Sequence, residues 1–143
     1  MAIAHGGDVR VERTERLELK SGEDVVRLRQ AVRERAVAVG FTLVDQTKVV
    51  TAASELGRNT VHHGGGGEAR ISILVNGTRR GVLLEFVDTG PGIADIGLAL
   101  TDGYTTGSGL GLGLSGARRL SDEFDIESAA GKGTRVTIVR WKH

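Results

Sequence analysis

Residues 82–93, Val-Leu-Leu-Glu-Phe-Val-Asp-Thr-Gly-Pro-Gly-Ile, set an apolar, β-branched run directly against a cluster of turn residues. Val82 to Val87 reads as a strand that ends at Asp88, because Gly90, Pro91 and Gly92 do not continue a sheet ladder. Just upstream, Ala69 to Val75 is a second apolar run, and Asn76-Gly77-Thr78-Arg79-Arg80-Gly81 between the two reads as a hairpin with a slightly long turn. Strands joined in this way are antiparallel, since a parallel pair needs a much longer crossover. Further out, Thr134 to Trp141 (TRVTIVRW) and Ile126 to Ala129 are strands linked by a Gly131-Lys132-Gly133 turn. Val9 to Leu19 (VRVERTERLEL) alternates apolar and charged residues for part of its length, as a half-exposed edge strand does.

Two helices precede the hairpin. Ser21 offers an N-cap with Asp24 three residues on, and Val25, Leu28, Val32, Ala36 and Val39 recur at three- and four-residue steps until Gly40. The other face carries Arg27, Arg29, Arg33, Glu34 and Arg35, a solvated face or one that an acidic partner protein can use. Thr42, with Asp45 three positions later, opens a second helix through Thr47, Val50, Ala53, Ser54, Leu56 and Val61 to the four glycines from Gly64. At 1.5 Å per residue it is about 30 Å long, enough to cross the domain. Ser115 to Asp122 reads as a short helix. The order β α α β β, glycine-rich segment, α, β β predicts an α+β two-layer sandwich, with a mixed, mostly antiparallel sheet and helices on one face.

Composition narrows the function. The 143 residues fit a single domain. Nineteen Lys plus Arg against eighteen Asp plus Glu give +1, which leaves no whole-chain field for nucleic acid or anionic lipid. The absence of cysteine excludes disulfides, thiolate nucleophiles, Cys-based zinc sites and iron–sulfur clusters. Met1 to Asp8 lacks the pattern of a leader, and no run of about 18 apolar residues occurs, so a cytoplasmic protein without membrane contact is expected. Glycine is the unusual count, at 22, with nine between Gly90 and Gly116. Ile93, Ile96, Leu98, Leu100, Leu110, Leu112 and Leu114 are interleaved with them, unlike a flexible linker, so backbone must approach something closely.

Three stretches carry candidate chemistry. Glu55 and Asn59 lie one turn apart on the second helix and share a face. An Asn oxygen suits Mg²⁺, which takes few protein ligands and completes its shell with water and phosphate, and a carboxylate one turn away can accept a proton from an attacking hydroxyl. His63, four residues after Asn59, lines the same face beside the phosphates. Asp88, at the end of its strand, is an acceptor-only group suited to an exocyclic amine such as adenine N6. Gly107-Ser108-Gly109-Leu110-Gly111-Leu112-Gly113 alternates glycine with anchors, so that main-chain amides can face a phosphate ahead of a helix.

Rival readings fail on context. Gly111-x-Gly113-x-x-Gly116 matches the dinucleotide fingerprint, but no apolar strand precedes it and too little chain follows for a mononucleotide-binding half. No Gly-x-x-x-x-Gly-Lys-Ser/Thr occurs, and the glycine loop, HRD and DFG set of eukaryotic-type kinases is missing. His62 and His63 point in different directions and lack a third ligand, and neither Ser108 nor Ser115 sits in a nucleophile elbow.

Glu55-Leu-Gly-Arg-Asn59, Asp88-Thr-Gly-Pro-Gly-Ile93, Gly107-Ser-Gly-Leu-Gly-Leu-Gly113 and Gly131-Lys-Gly-Thr134 resemble, in order, the N, G1 and G2 boxes and terminal Thr motif of the GHKL ATPases. Within that superfamily, residues 54–59, the stretch from Gly111 to Phe124 and Val139-Arg-Trp141 are similar to the RsbT-type switch-protein serine/threonine kinases of the bacterial stressosome. The resemblance covers about residues 21–142, the GHKL ATP-binding kinase domain, with residues 1–20 as an N-terminal extension and first strand. It implies the Bergerat fold, ATP and Mg²⁺ as cofactors, a STAS-domain scaffold protein as substrate, and a downstream PP2C-type phosphatase activated by the released kinase. By resemblance Glu55 is the general base and Asn59 the metal ligand. Asp88 reads adenine with Gly90, Gly92 and Ile93 beside it, and Thr134 supports the pocket. Thr105, Thr106 and Gly107 to Gly113 form the lid and phosphate loop, and the stretch Ala94 to Gly107 makes a short lid. Arg58 and Arg119 read more simply as helix-surface arginines. Gly57, inside the N box, costs about 1 kcal/mol against Ala and implies close packing or a kink. The alternatives are an anti-sigma-factor kinase of the RsbW/SpoIIAB type that holds a sigma factor, and a nucleotide-binding switch without turnover.

Overall fold

The computed structural model describes residues 9–101 and 113–143. Strand β1 (Val9–Leu19) leads into helices α1 (Gly22–Val39) and α2 (Leu43–His62), followed by the β2 (Gly67–Asn76) and β3 (Arg79–Asp88) hairpin. Two short helices, α3 (Ile96–Ala99) and α4 (Leu114–Arg119), precede β4 (Glu123–Ser128) and β5 (Thr134–Trp141). The five strands form one sheet in the order β1-β2-β3-β5-β4, and every neighbouring pair is antiparallel.

Alternation along the strands sorts the sheet into two faces. Ala69, Ile71 and Ile73 of β2, Val82, Leu84 and Phe86 of β3, and Val136 and Ile138 of β5 belong to the main core, together with Leu28, Val32 and Ala36 of α1, Val49, Ala53 and Leu56 of α2, and Leu114 and Ala117 of α4. The helices therefore share one face, as the order of elements predicts. Leu74, Leu83, Val139 and Trp141 cluster on the opposite face, where the Arg79 guanidinium lies 4.6 Å from the centre of the Trp141 ring. A bulge between Glu12 and Glu15, with Arg13 at φ 54°, switches the facing of β1. Val9 and Val11 thus fall on the open face and Leu17 and Leu19 on the core face.

Capping follows the sequence. The Asp24 carboxylate accepts the amides of Lys20 and Ser21, and the Thr42 hydroxyl accepts the Asp45 amide at 3.2 Å. At Gly57 helix α2 packs tightly on α1: a Cβ there would lie 2.6 Å from Leu28 Cδ2. This is the close packing that a mid-helix glycine implies.

Three expectations need correction. The β2–β3 turn is tight, with Asn76 paired to Arg79 across Gly77-Thr78. Arg79 and Arg80 read as turn residues by polarity, yet each occupies a strand position, Arg79 capping Trp141. The one-turn helix α3 was expected as part of an irregular segment; the Asp95 side chain accepts the Leu98 amide at 2.9 Å and caps it. Strand β4 begins at Glu123 and α4 ends at Arg119, because Asp122 already donates its amide to the Val139 carbonyl at 2.8 Å.

Candidate nucleotide site

Strand β3 delivers Asp88 to the end of the sheet, among glycines. Oδ1 of Asp88 accepts the Gly90 amide at 2.9 Å, and Asp88 pairs with Thr134 of β5 across the ladder. A Cβ on Gly64 would lie 2.5 Å from Asp88 Oδ2, and one on Gly133, at φ +76°, would strike the Asp88 carbonyl. Two chain segments come this close only because both positions lack a side chain. Burial pushes the Asp88 carboxyl above the usual carboxylate range, while the amides of Gly90 and Thr134 and the nearby His63 pull it back. A carboxylate held in such a place is a specific acceptor for a neutral or cationic N–H donor.

Helix α2 supplies the opposite wall. Leu56, Asn59, Thr60 and His63 line one cavity together with Phe86 and Asp88 of β3, Ile93 of the following loop, Leu114 of α4, and Thr134 and Val136 of β5. The cavity volume is about 20 Å³, room for a single water. Its walls are mostly apolar, with Asn59, Thr60, His63, Asp88 and Thr134 as the polar residues, the composition of a small-molecule site. One turn before Asn59, Glu55 is paired with Arg58 and stands against Gly113, where a Cβ would lie 2.6 Å from Glu55 Oε2. A shallow groove lined by Arg29, Arg33, Thr51, Ser54, Glu55 and Arg58 opens between α1 and α2 at this carboxylate.

Asn59, His63, Asp88, Ile93 and Thr134, which the sequence singles out, are thus brought together. Gly90 and Gly92 belong to the adjoining loop, and Glu55 flanks it beside Gly113. His63 lines the same cavity as Asn59, and its Nε2 lies 3.3 Å from the Gly92 carbonyl. It is the C-cap of α2, still in helical conformation with its amide bonded to the Asn59 carbonyl. Arg58 does more than face solvent, since it holds Glu55. Thr105, Thr106, Gly107, Ser108, Gly109, Leu110, Gly111 and Leu112 lie outside the described residues. Among the described residues no cluster of three or more His, Asp or Glu groups suits a metal ion.

Sequence reasoning passed over Gly64, Phe86 and Ser128. Phe86 was within reach, since it is two residues before Asp88 and shares its face. Ser128 carries no local signal: its hydroxyl accepts the Ile93 amide at 2.8 Å, donates to the Gly133 carbonyl at 2.8 Å and lies 2.9 Å from the Thr134 hydroxyl. It ties the loop after β3 to the β4–β5 turn.

Comparison with known proteins agrees with this architecture. Residues 44–143 match the family model described as histidine kinase-, DNA gyrase B-, and HSP90-like ATPase. The chain is 42% identical over 118 residues to the serine/threonine-protein kinase RsbT of Bacillus subtilis, covering 82% of this chain and 89% of that protein. It is 30% identical over 121 residues to the anti-sigma F factor of a Thermoanaerobacter species, covering 79% and 82% respectively. A crystal structure of RsbU and RsbW domains from Mycobacterium tuberculosis superposes with a TM-score of 0.61 at 20% identity, over 90% of this chain and 32% of that one, which supports the fold. The chain therefore belongs to the histidine kinase-, DNA gyrase B- and HSP90-like ATPase family, the GHKL ATPases.

Proposed function

We propose that this chain is an ATP- and Mg²⁺-dependent serine/threonine protein kinase of the cytoplasm, which phosphorylates a STAS-domain scaffold or antagonist protein and then activates a PP2C-type phosphatase. The observation that carries the reading is the convergence of Asp88, Thr134, Asn59 and His63 on one apolar cavity at the end of the sheet. The 42% identity to the serine/threonine-protein kinase RsbT supports the choice of activity.

In this reading Asp88 accepts the amine of adenine, between Phe86, Val136 and Ile93. The fit is partial as the cavity stands, because it holds about one water. Asn59 is the group that would hold Mg²⁺, a carboxamide at the cavity wall one turn from the Glu55 carboxylate. That sparse donor set suits a cation that draws most of its shell from phosphate and water. Bound Mg·ATP supplies the phosphoryl group and the charge that eases its transfer. The protein contributes position, and Glu55 takes the proton of the acceptor hydroxyl. Arg58 orients Glu55. The α1–α2 groove leads to Glu55 from outside, and its Arg29, Arg33 and Arg58 complement an acidic partner surface.

The deciding experiment incubates the protein with candidate STAS-domain proteins and Mg·ATP and measures intact mass. One added phosphate on one candidate is expected, and no transfer to any STAS protein, with nucleotide bound, rejects the kinase reading. The 30% identity to an anti-sigma F factor favours a second reading, sequestration of a sigma factor. Co-purification with sigma would select it.

A further inference from the structure

Arg140 is a cation in the core layer, 8% exposed, on the face of β5 otherwise filled by Val136 and Ile138. Nη2 donates to Asp45 Oδ1 at 2.7 Å, in the first turn of α2, and Nη1 donates to the Leu120 carbonyl at 2.9 Å, which caps the C-terminus of α4. Its Nε is buried without a hydrogen-bond partner. An ion pair this buried, and incompletely satisfied, contributes little more to folding than an apolar side chain of similar size. What it adds is direction. Among the buried residues of α4 only Leu114 and Ala117 hold it to the core, and apolar contacts fix no position along a helix axis.

The two ends of α4 meet the same partner helix. Its N-cap, Gly113, stands against Glu55, and its C-cap reaches Asp45 through Arg140. Helix α4 therefore runs back along α2, spanning about 10 Å against about 15 Å between Asp45 and Glu55, and the Arg140 side chain makes up the difference. The segment just beyond is pinned by the same strand: Asp122 accepts the Trp141 amide at 2.7 Å and donates to the Val139 carbonyl at 2.8 Å. The guanidinium holds the Asp45 carboxyl below its usual range, in keeping with a bonded pair.

We propose that Arg140 is a positioning residue for the triphosphate end of the site: by tying the C-cap carbonyl of α4 to Asp45, it fixes Gly113, the N-cap of the same helix, over Glu55. The inference rests on the kinase reading for its consequence, though the clamp itself does not. No phosphate contact by Arg140 is involved.

The test uses Arg140→Met, with Asp45→Asn and Arg140→Lys as companions that retain one side of the clamp. In each, calorimetry compares Mg·ATP with adenosine, and amide exchange is followed in α4 without nucleotide. Mg·ATP affinity should fall about tenfold or more in Arg140→Met, because displaced groups lose alignment steeply, with Arg140→Lys and Asp45→Asn intermediate. Adenosine affinity should stay within about twofold, since Asp88 lies away from the clamp. Exchange should quicken in residues 114–120 and not in α2. Equal losses for ATP and adenosine, unchanged affinity for both, or unchanged exchange would overturn the proposal, as would failure of all three variants to fold. If the unaltered protein binds no Mg·ATP, the nucleotide reading falls alone, and the exchange measurement still decides the clamp.

Discussion

Gly64 and Asp88 are packed so closely that a side chain at position 64 would occupy the space of the Asp88 carboxylate, with its Cβ 2.5 Å from Oδ2. Gly90 presses on the same point from the other side, its own Cβ position 2.6 Å from the Gly64 carbonyl. The end of α2 and the start of the loop after β3 are therefore interlocked at the residue proposed to read adenine.

Gly64→Ala should accordingly displace Asp88 without touching any proposed ligand contact directly. The expected cost to folding is about 1–3 kcal/mol, the range for overpacking a tight site. Nucleotide affinity should fall about tenfold or more, since the acceptor is moved and not removed. Thermal melts with and without Mg·ATP read both effects, and retention of the full ligand-induced shift would contradict the arrangement.

Asp88→Asn separates charge from shape. Burial raises the Asp88 carboxyl in the folded protein, so the native state holds the proton more tightly than the unfolded chain. The associated stability is present below the ordinary carboxylate value of 3.8 and is lost as pH rises through the folded value. Asp88→Asn cannot ionise, so the nucleotide-free variant should gain stability over the unaltered protein as pH climbs from about 3 to 7. It should also bind ATP more weakly, because an amide offers one acceptor where the carboxylate offers two. Urea titrations at several pH values check the sign; a relative loss with rising pH would show that the charge is compensated in the fold.

How far the sequence discloses this arrangement depends on whether a residue acts within its own element. Thr134 to Trp141 and Val9 to Leu19 are bounded in the sequence as they are in the structure, because the Gly131-Lys132-Gly133 turn precedes β5 and Ser21 starts α1 after β1. Helix α3 escapes such reading: four residues with a glycine among them carry no period. Asn59 and Asp88 are legible since one lies on a helix face and the other at a strand end. Ser128 is not, because its bond to the Ile93 amide joins positions 35 residues apart. Gly64 hides in a run of four glycines, only one of which would drive a side chain into the Asp88 carboxylate.

Glu55→Gln preserves size and the contact with Gly113 but cannot take up a proton. Affinity for Mg·ATP should be retained, while phosphotransfer to the partner falls by about 10²–10⁴-fold, the usual contribution of a positioned base. Single-turnover transfer to the STAS-domain substrate is the measurement, and an unaltered rate would remove Glu55 from the chemistry. The charge-paired Arg58 loses its partner in this variant, so Arg58→Ala is the control: it removes the same ion pair while leaving the base, and should slow transfer far less.

Gly57→Ala sets helix propensity against packing. In an exposed helix the change would add about 1 kcal/mol of stability. Here the new methyl would lie 2.6 Å from Leu28 Cδ2, and Leu28 is wholly buried between α1 and the sheet, so its side chain has no free space to enter. Overpacking at such a place costs about 1–3 kcal/mol, which outweighs the propensity gain. A net loss of about 1 kcal/mol is therefore expected in chemical denaturation. Gly57→Ala combined with Leu28→Val should recover part of it, because shortening Leu28 removes the atom in conflict. If Gly57→Ala alone proves stabilising, then α1 and α2 separate more easily than their contact implies, and the position of Glu55 and Asn59 on α2 would be set by the sheet and not by α1.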